Sequence, residues 1–388
     1  MRETDNSDYR APYIKLLDEV FRLMDENYYK PVSRPAFDAY VRRYKTAVLD
    51  KLKERNTLLD NIAYRGAGLL VNKLKDPDDK FSNFIPPDIA KKYAEKVYGF
   101  KRDIGIAGHI TEAGYLIDHV QIRSDSYAKG IRASDIIKEI NGDSVTALDN
   151  EAIELLLTPE LETVTRLLVF SPDDNTTKTY EILCEEYFRE TVKSVPTGIP
   201  GAYIYKIESF NRKTSDDLKN YIAQANPDKT GFIILDVRDN PGGPPLAVYE
   251  LSGIFMPPKQ KLFYYKKKNQ PEFGLISPDS DVHYGGPLVI LIDRMSGSAS
   301  EIMAVTFKAY GRAVIAGKEP SAGMAFLKGT FKLEDGSMLA LITGNAFLFD
   351  GTEIDIKGVE PDLSVPADIQ DAYEFLLDKY RDGEFTHE

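Results

Sequence analysis

The segment PLVILIDRMSGSASEIMA, residues 287–304, decides the fold of this chain. Its first seven residues, PLVILID (287–293), form an apolar run that ends in an aspartate, which is typical of a parallel strand buried on both faces. EIMAVTFKAY (301–310) continues as an apolar helix. Between strand and helix, Ser296, Ser298 and Ser300 alternate with small residues and have no histidine beside them. The segment therefore predicts a strand–loop–helix junction with a serine cluster in its loop.

Two further apolar runs place this junction in a larger core. Before the junction come the apolar run GFIILDVR (231–238), the turn NPGG (240–243) and the helix LAVYELSGIF. After the junction comes the apolar run AVIAG (313–317). Strands that alternate with helices predict an α/β core. Ligands of such cores bind at the loops beyond the carboxyl ends of the strands. NPGG and the serine cluster both lie at that edge, so we expect the site there.

The two loops carry complementary chemistry. Gly242 and Gly243 can adopt positive φ and leave their N–H groups bare, while Pro241 stiffens the turn. Two bare N–H groups beside a nucleophile form an oxyanion hole, and a helix N-terminus adds further support. A plain turn explains NPGG equally well on its own. A helix cap explains any single serine, and Ser300, which precedes Glu301, fits that role best.

Composition excludes several classes of protein. A length of 388 residues predicts two or three domains, and the net charge of -12 argues against binding to nucleic acids or anionic lipids. One cysteine and four histidines without metal-ligand spacing predict no disulfide within the chain, no metal and no cofactor. The strand-like alternation around Cys184 favours a packed thiol over a nucleophile.

No apolar segment approaches the roughly 20 residues that a membrane span needs, so none is predicted. The polar N-terminus lacks the apolar core of a signal peptide. That leaves two expectations open, a cytoplasmic protein or one whose leader has been removed.

The chain divides into three predicted regions. Residues 1–100 form a helical region, with helical spacing over 13–24, 37–48 and 58–74 and a break at the proline-rich segment 76–88. Residues 101–190 form short strands around a tight turn at Asn141-Gly142, with a helix over 148–157. Residues 191–388 form the α/β core and the C-terminal segment.

The second region resembles a PDZ domain. The shared phrase comprises Ala128, Gly130-Ile131, Asp135-Ile136-Ile137 and Ile140-Asn141-Gly142, with Ser134 where that family usually has a glycine. The resemblance implies that the loop 104–107, with Gly105 and Ile106, receives the terminal carboxylate of a peptide that adds as a strand. The alternative is a β-rich domain that only packs against its neighbours.

The whole chain resembles the C-terminal processing peptidases over about residues 10–366. DVRDNPGG, DRMSGSASEI, GRAVIAGKEPSAG, LEDGS and GTEIDIKGVEPDLSVP occur in the order found in that family. The resemblance implies an α/β core of the processing-peptidase type with a helical N-terminal region and a PDZ-like β-rich domain. It further implies a serine endopeptidase that cuts proteins near free, apolar C-terminal tails. Ser298 would be its nucleophile, and the Ala299 N–H with that of Gly242 or Gly243 its oxyanion hole.

The resemblance also implies an extracytoplasmic location and leaves a homo-oligomer possible. An acyl-CoA enzyme of the crotonase type also uses paired glycine N–H groups on α/β layers. It is disfavoured because the sequence offers no basic cluster for nucleotide phosphates.

One position departs from the family pattern. Alignment back from LEDGS places Met324 where the family has its catalytic lysine and Lys328 where it has a helpful glutamine. A catalytic lysine needs a pKa lowered by desolvation before it accepts the proton of a serine, and methionine accepts none. Three hypotheses follow: Lys328 is the base, which we favour; His283 is the base; or the protein is an inactive pseudo-peptidase that binds peptide C-termini.

Overall fold

The computed structural model describes residues 11–43, 59–90, 93, 100–225, 231–354 and 357–385. Helical backbone also covers 34–43, which includes the first part of the second predicted helix (37–48). Residues 44–48 lie outside the described residues. Within the described part, no helix is long and apolar enough to cross a membrane. The named helices are α1 Ala11–Asn27, α2 Leu59–Leu74, α3 Asp125–Ala128, α4 Asn150–Leu157, α5 Thr214–Ala225, α6 Pro245–Phe255, α7 Ala299–Ala309 and α8 Ile369–Arg381.

The strands form four sheets, which are described in turn below. In chain order they are β1 Asn83–Ile85, β2 Phe100–Asp103, β3 Ile106–Thr111, β4 Gly114–Val120, β5 Ile136–Ile140, β6 Asp143–Ser144, β7 Val164–Ser171, β8 Thr176–Leu183, β9 Glu185–Phe188, β10 Val192–Val195, β11 Ala202–Ile207, β12 Phe232–Asp236, β13 Lys261–Lys267, β14 Phe273–Ile276, β15 Leu288–Ile292, β16 Val314–Gly317, β17 Phe326–Lys332, β18 Met338–Leu348 and β19 Leu363–Ser364.

The central sheet has the order β10-β11-β12-β15-β16-β19. Its strands run parallel except for β10. Every residue of β12 and β15 is buried, as the two apolar runs predicted. One face packs against α5, α6 and α7, and the other packs against α8. The predicted α/β core is confirmed, and its two central strands end side by side.

A second sheet, with the order β1-β18-β13-β14 and with β17 also on β18, supports the N-terminal helices. Val20, Met24 and Leu70 of those helices share a core with Leu339 and Leu341 of β18. This sheet was not predicted from the sequence. Residues 76–88 were expected only to break the helical region, whereas β1 forms there by pairing with residues 338–340. A three-residue strand has no periodicity of its own, so only its distant partner defines it.

The third sheet has the order β3-β4-β5-β7-β8, with β6 on β5. Asn141 and Gly142 both have positive φ, 54° and 93°, as the predicted tight turn requires. The strand-like alternation around Cys184 does not form one continuous strand. β8 ends at Leu183, and β9 begins at Glu185 and pairs with β2 in a separate two-stranded sheet. Cys184 is a packed thiol, as predicted, and donates to the Pro159 carbonyl at 3.4 Å.

A buried charge cluster joins α8 to the end of β12. The Asp236 carboxylate accepts hydrogen bonds from the Arg238 guanidinium at 2.7 Å and from the Tyr373 hydroxyl at 2.5 Å, and Lys206 lies 3.3 Å away. Burial by itself would raise the pKa of Asp236. The hydrogen bonds and charge of Arg238, with the charge of Lys206, outweigh burial and hold that pKa below its usual range. The C-terminal helix therefore helps to fix the start of the loop that carries NPGG.

We expect Tyr373→Phe to lower the free energy of unfolding by about 1–3 kcal/mol, because it removes a donor to a buried carboxylate. Urea denaturation measures this loss. Tyr380→Phe is the matched control on the same helix: Tyr380 stacks on Phe232 at 4.9 Å, and its hydroxyl bonds to no other described residue. Equal losses in the two variants would contradict the role given to Tyr373.

Candidate active site

Ser298 occupies the sharpest point of the serine loop. Its backbone has φ 52° and ψ −111°, a conformation that a residue with a Cβ rarely adopts. Strain of this kind concentrates at functional sites. In α/β hydrolases a similar strained turn between strand and helix exposes the nucleophilic serine. Ser298 is half-buried, and helix α7 begins at the next residue.

The two flanking serines have a structural role. The Ser296 hydroxyl donates to the Val237 carbonyl at 2.7 Å, and the Ser300 hydroxyl donates to the Asn240 carbonyl at 3.0 Å. Both side chains are fully buried. The expectation that Ser300 caps the helix is wrong, because the helix begins at Ala299 and the cap position is Ser298. The hydroxyls of Ser296 and Ser300 instead bind the serine loop to the neighbouring loop.

The Glu301 carboxylate holds the serine turn against the segment 321–324. It accepts hydrogen bonds from the N–H groups of Ser298 at 2.8 Å, Gly323 at 2.6 Å and Met324 at 2.6 Å, and from the Ser321 hydroxyl at 2.7 Å. Glu301 is fully buried. Burial raises its pKa, and the four hydrogen bonds offset part of that rise.

The sequence analysis missed this role of Glu301. The spacing Ser298-Ala-Ser-Glu301 is a capping-box signature that could have indicated it.

Gly242 lies directly against the serine turn. A Cβ built on it would be 2.7 Å from the Ser298 Cβ and 2.8 Å from the Ala299 nitrogen, so a side chain has no room here. Its φ of 99° also favours glycine. The Gly242 N–H donates to the Asn240 side chain at 2.8 Å and is therefore occupied. Within the described residues, the N–H groups of Gly243 and Ala299 have no acceptor.

The structure thus brings four predicted site residues together: Ser298, Ala299, Gly242 and Gly243. A Cβ on Gly243 would lie 2.1 Å from the Phe210 carbonyl oxygen, so this glycine is also required by close packing. Of the two glycines, Gly243 has the N–H that is available to a ligand. The catalytic roles of these residues remain predictions.

Met324, which we predict to stand at the position of the family lysine, lies beside the same turn. The terminal methyl of Met324 is 2.7 Å from where a Cβ on Gly297 would lie. Lys328 is exposed on β17, and its Nζ lies 5.5 Å from the centroid of the Tyr93 ring. His283 is also exposed, with Nδ1 3.2 Å from the Ile254 carbonyl. No hydrogen bond joins either candidate base to Ser298 in the part of the chain that the structure describes.

The predicted carboxylate-binding loop lies in the third sheet. Gly105 has φ 76°, and its N–H already donates to the Asp103 carboxylate at 2.7 Å. Ile106 begins β3, whose described partner is β4 alone, so β3 is an edge strand. The Ile104 N–H donates to the Leu157 carbonyl at 3.2 Å, at the end of α4. An open edge suits strand addition, and peptide binding by Gly105 and Ile106 remains a prediction.

Among the described residues, no group of three or more histidine, cysteine, aspartate or glutamate side chains could hold a metal ion.

Residues 202–365 match the model of the family described as Peptidase family S41. The matched segment contains Ser298, both glycines and the Glu301 network, and it extends from β11 past β19. The predicted resemblance and fold class are confirmed.

The chain is also similar to named proteins. "Probable CtpA-like serine protease" from Staphylococcus aureus (strain MRSA252) is 26% identical over 325 residues, which cover 83% of this chain and 63% of the relative. The chain thus spans less than two thirds of that relative's length.

Two solved structures share the fold. The photosystem II D1 C-terminal processing protease has a TM-score of 0.51 at 20% identity and covers 93% of this chain and 96% of its own. The tricorn protease has a TM-score of 0.55 at 14% identity, over 98% of this chain and 38% of its own.

We expect Glu301→Gln to lower the free energy of unfolding by at least about 2 kcal/mol. Each carboxylate oxygen of Glu301 accepts two hydrogen bonds. The amide NH₂ of glutamine would replace one of these oxygens, and since it accepts none, two buried donors would lose their acceptor. Urea denaturation gives the value. Glu319→Gln is the control, since its side chain is 49% exposed and lies 3.9 Å from Arg294, and we expect less than about 0.5 kcal/mol there. A Glu301→Gln protein as stable as this control would contradict the network.

Proposed function

We propose that this chain is a serine endopeptidase that acts on protein or peptide substrates, with Ser298 as its nucleophile. One observation carries the proposal: the strained Ser298 turn lies against Gly242, and the N–H groups of the neighbouring Gly243 and of Ala299 are free within the described residues. The match to Peptidase family S41 and the similarity to a relative named a serine protease support it.

The geometry suits acyl transfer in two steps. The Ser298 oxygen attacks the scissile carbonyl carbon, and the carbonyl oxygen takes up the negative charge. The N–H groups of Gly243 and Ala299 donate to that oxyanion, and the N-terminus of α7 adds positive potential. The C–N bond then breaks, the amine leaves with a proton, and water hydrolyses the acyl-enzyme.

The proposed site lacks an evident base for the proton of Ser298. The serine proton needs a base, and the thioether of Met324 accepts none. The assignment of Lys328 as base requires its Nζ to leave the Tyr93 ring and reach Ser298. We therefore propose that proton transfer limits hydrolysis by this chain and that the oxyanion hole supplies most of its residual catalysis.

A fluorophosphonate probe should label the natural protein at Ser298. The probe needs a nucleophilic hydroxyl and a nearby oxyanion hole, and both are present in the proposed site. Intact mass after long incubation measures labelling, and peptide mapping identifies the residue. Ser298→Ala should remove the label, and a label found elsewhere, or none at all, would count against the proposal.

Met324→Lys should raise kcat/KM for an unstructured protein such as casein by about 10²–10⁴-fold, the usual contribution of a positioned base. The two side chains are of similar length, and the Met324 side chain already lies beside the serine turn. Met324→Leu is the matched control and should give no increase. If Met324→Lys and the parent are equally active, the missing base does not limit the reaction.

Lys328→Ala should hydrolyse casein at a rate within about twofold of that of the natural protein, because the Lys328 ammonium lies over the Tyr93 ring. Lys332→Ala, an exposed lysine on the same strand, serves as the control. Initial rates on casein give the comparison. A loss of 100-fold or more in Lys328→Ala alone would identify Lys328 as the base.

The second candidate function is peptide binding without hydrolysis. Methionine in place of the family lysine favours it, and the open edge of β3 offers a place for a peptide strand. In that case an apolar peptide with a free C-terminus binds equally to the parent and to Ser298→Ala, and neither protein cleaves it.

A further inference from the structure

Glu301 is a buried carboxylate that has no cationic partner. Glu301 and Asp236 are both fully buried. Asp236 is bonded to the Arg238 guanidinium and lies 3.3 Å from the Lys206 ammonium. Glu301 forms no ion pair with any described residue, and its four donors are three backbone N–H groups and one hydroxyl. Neutral donors offset less of the cost of burying a charge than a cation does, so Glu301 takes up a proton more readily than Asp236 does.

The charged side chains on the segments around Glu301 are paired elsewhere or exposed. Lys308, two turns further along α7, pairs with Asp362 at 2.7 Å. Asp293 is half-buried and accepts the Asp239 N–H at 3.1 Å. The other charged side chains of the adjoining loops are exposed; they are Asp239, Arg294, Lys318, Glu319, Lys357 and Glu360. Water and salt screen exposed charges, so burial and the four donors decide the proton affinity of Glu301.

The two oxygens of Glu301 face different kinds of donor. Oε2 accepts the N–H groups of Ser298 and Met324, and a backbone N–H can only donate. Oε1 accepts the Gly323 N–H and the Ser321 hydroxyl. A hydroxyl can reverse its hydrogen bond, because it is both a donor and an acceptor. A proton taken up from water therefore binds to Oε1, and the new O–H donates to the Ser321 oxygen.

The Ser321 oxygen can accept this reversed bond. It already accepts the Val359 N–H at 2.6 Å, and a hydroxyl oxygen has two lone pairs. The hydroxyl oxygen of the protonated acid can also still accept the Gly323 N–H, which the NH₂ of a glutamine cannot do. The fold therefore tolerates protonation of Glu301 better than it tolerates Glu301→Gln.

Protonation weakens the hold on the serine turn. A hydrogen bond to an ionised acceptor is about twice as strong as one to a neutral acceptor. Once Oε1 carries the proton, the Ser298 and Met324 N–H groups donate to a neutral carbonyl oxygen. Ser298 has φ 52°, and a strained backbone persists only where contacts hold it. Both N–H groups converge on Oε2, so one proton loosens the serine turn and segment 323–324 together.

We propose that Glu301 is a proton switch for the Ser298 turn: the ionised carboxylate holds the strained conformation, and the protonated acid releases it. The effect of this switch on the reactivity of Ser298 rests on the proposed function. Release of the turn is independent of any catalytic role.

The pH range of the switch follows from burial, which raises the pKa of Glu301 above its usual value of 4.5 by more than the four hydrogen bonds lower it. In the unfolded chain the group has the usual value. Its contribution to stability is therefore fully present below pH 4.5 and is lost as the pH rises through the raised pKa. The ionised form that holds Ser298 thus costs stability, and proton uptake releases the turn without favouring unfolding.

Nuclear magnetic resonance of the ¹⁵N-labelled natural protein, titrated from about pH 8 to about pH 4.5, tests the switch. The amide proton signals of Ser298, Gly323 and Met324 should move upfield with one common midpoint above pH 4.5, because all three groups lose an ionised acceptor. The Ala322 amide is the internal control. Its N–H donates to the Ser296 carbonyl at 2.9 Å, which does not ionise, so its signal should move much less.

Glu301→Gln should abolish the common titration, since an amide does not titrate in this range. Glu319→Gln, the exposed control, should keep it. Because Glu301→Gln is expected to be less stable, the side-chain carboxyl ¹³C signal of Glu301 is also followed in the natural protein and should share the midpoint. Amide signals that stay fixed above pH 4.5, that have different midpoints, or that titrate equally in Glu301→Gln would each overturn the proposal.

Fluorophosphonate labelling in the same buffers separates this inference from the proposed function. Labelling of Ser298 should fall by about 5–10-fold across the common midpoint, the difference between a charge-assisted and a neutral hydrogen bond. A common titration with no labelling at any pH would support the switch and count against Ser298 as a nucleophile. Labelling at Ser298 without a common titration would support the nucleophile and overturn the switch.

Discussion

The parallel pairing of β12 with β15 is the constraint on which the candidate site depends. Residues 233–236 pair with 288–291, so both strands end at the same edge of the sheet. The loop that carries NPGG and the loop that carries the serines must therefore meet. The buried hydroxyls of Ser296 and Ser300 then fix their separation by donating to carbonyls of the opposite loop. Without this pairing, residues separated by more than fifty positions would have no reason to share a site.

Glu301 adds a third segment to this edge. A buried carboxylate is costly unless donors surround it, and here four donors come from the serine turn and from 321–324. Such a network holds the Ser298 backbone in its strained conformation and places Met324 beside it. A strained backbone persists only where surrounding contacts hold it in place, and at Ser298 the hydrogen bond to Glu301 is such a contact.

The site therefore combines a positioned hydroxyl and free backbone donors with a side chain that cannot take up a proton. Oxyanion stabilisation and proton transfer are separate contributions to acyl transfer, so the first can persist where the second is weak.

Patterns of near neighbours were readable from the sequence. The buried strands of the α/β core, its helices and the Asn141-Gly142 turn follow from apolar runs and local turn chemistry, and all are observed. The resemblance to the processing peptidases selected Ser298 and Ala299, and turn chemistry indicated Gly242 and Gly243. Loops at the ends of parallel strands converge, which is why these residues were expected to lie close together. The short strand β1 and the strand break at Cys184 were not predicted, because each depends on a distant pairing partner. The capping role was wrongly given to Ser300, although the local spacing of Ser298 and Glu301 is that of a capping box.

The sequence by itself determined the α/β core and the edge at which its two functional loops end, since local periodicity specifies both. Only the tertiary structure decided which serine is strained, that the Gly242 N–H is occupied while that of Gly243 is free, and that Met324 rather than Lys328 lies beside Ser298. The physical reason is that these properties depend on hydrogen bonds and contacts between segments far apart in the chain, and no local pattern of residues specifies such partners.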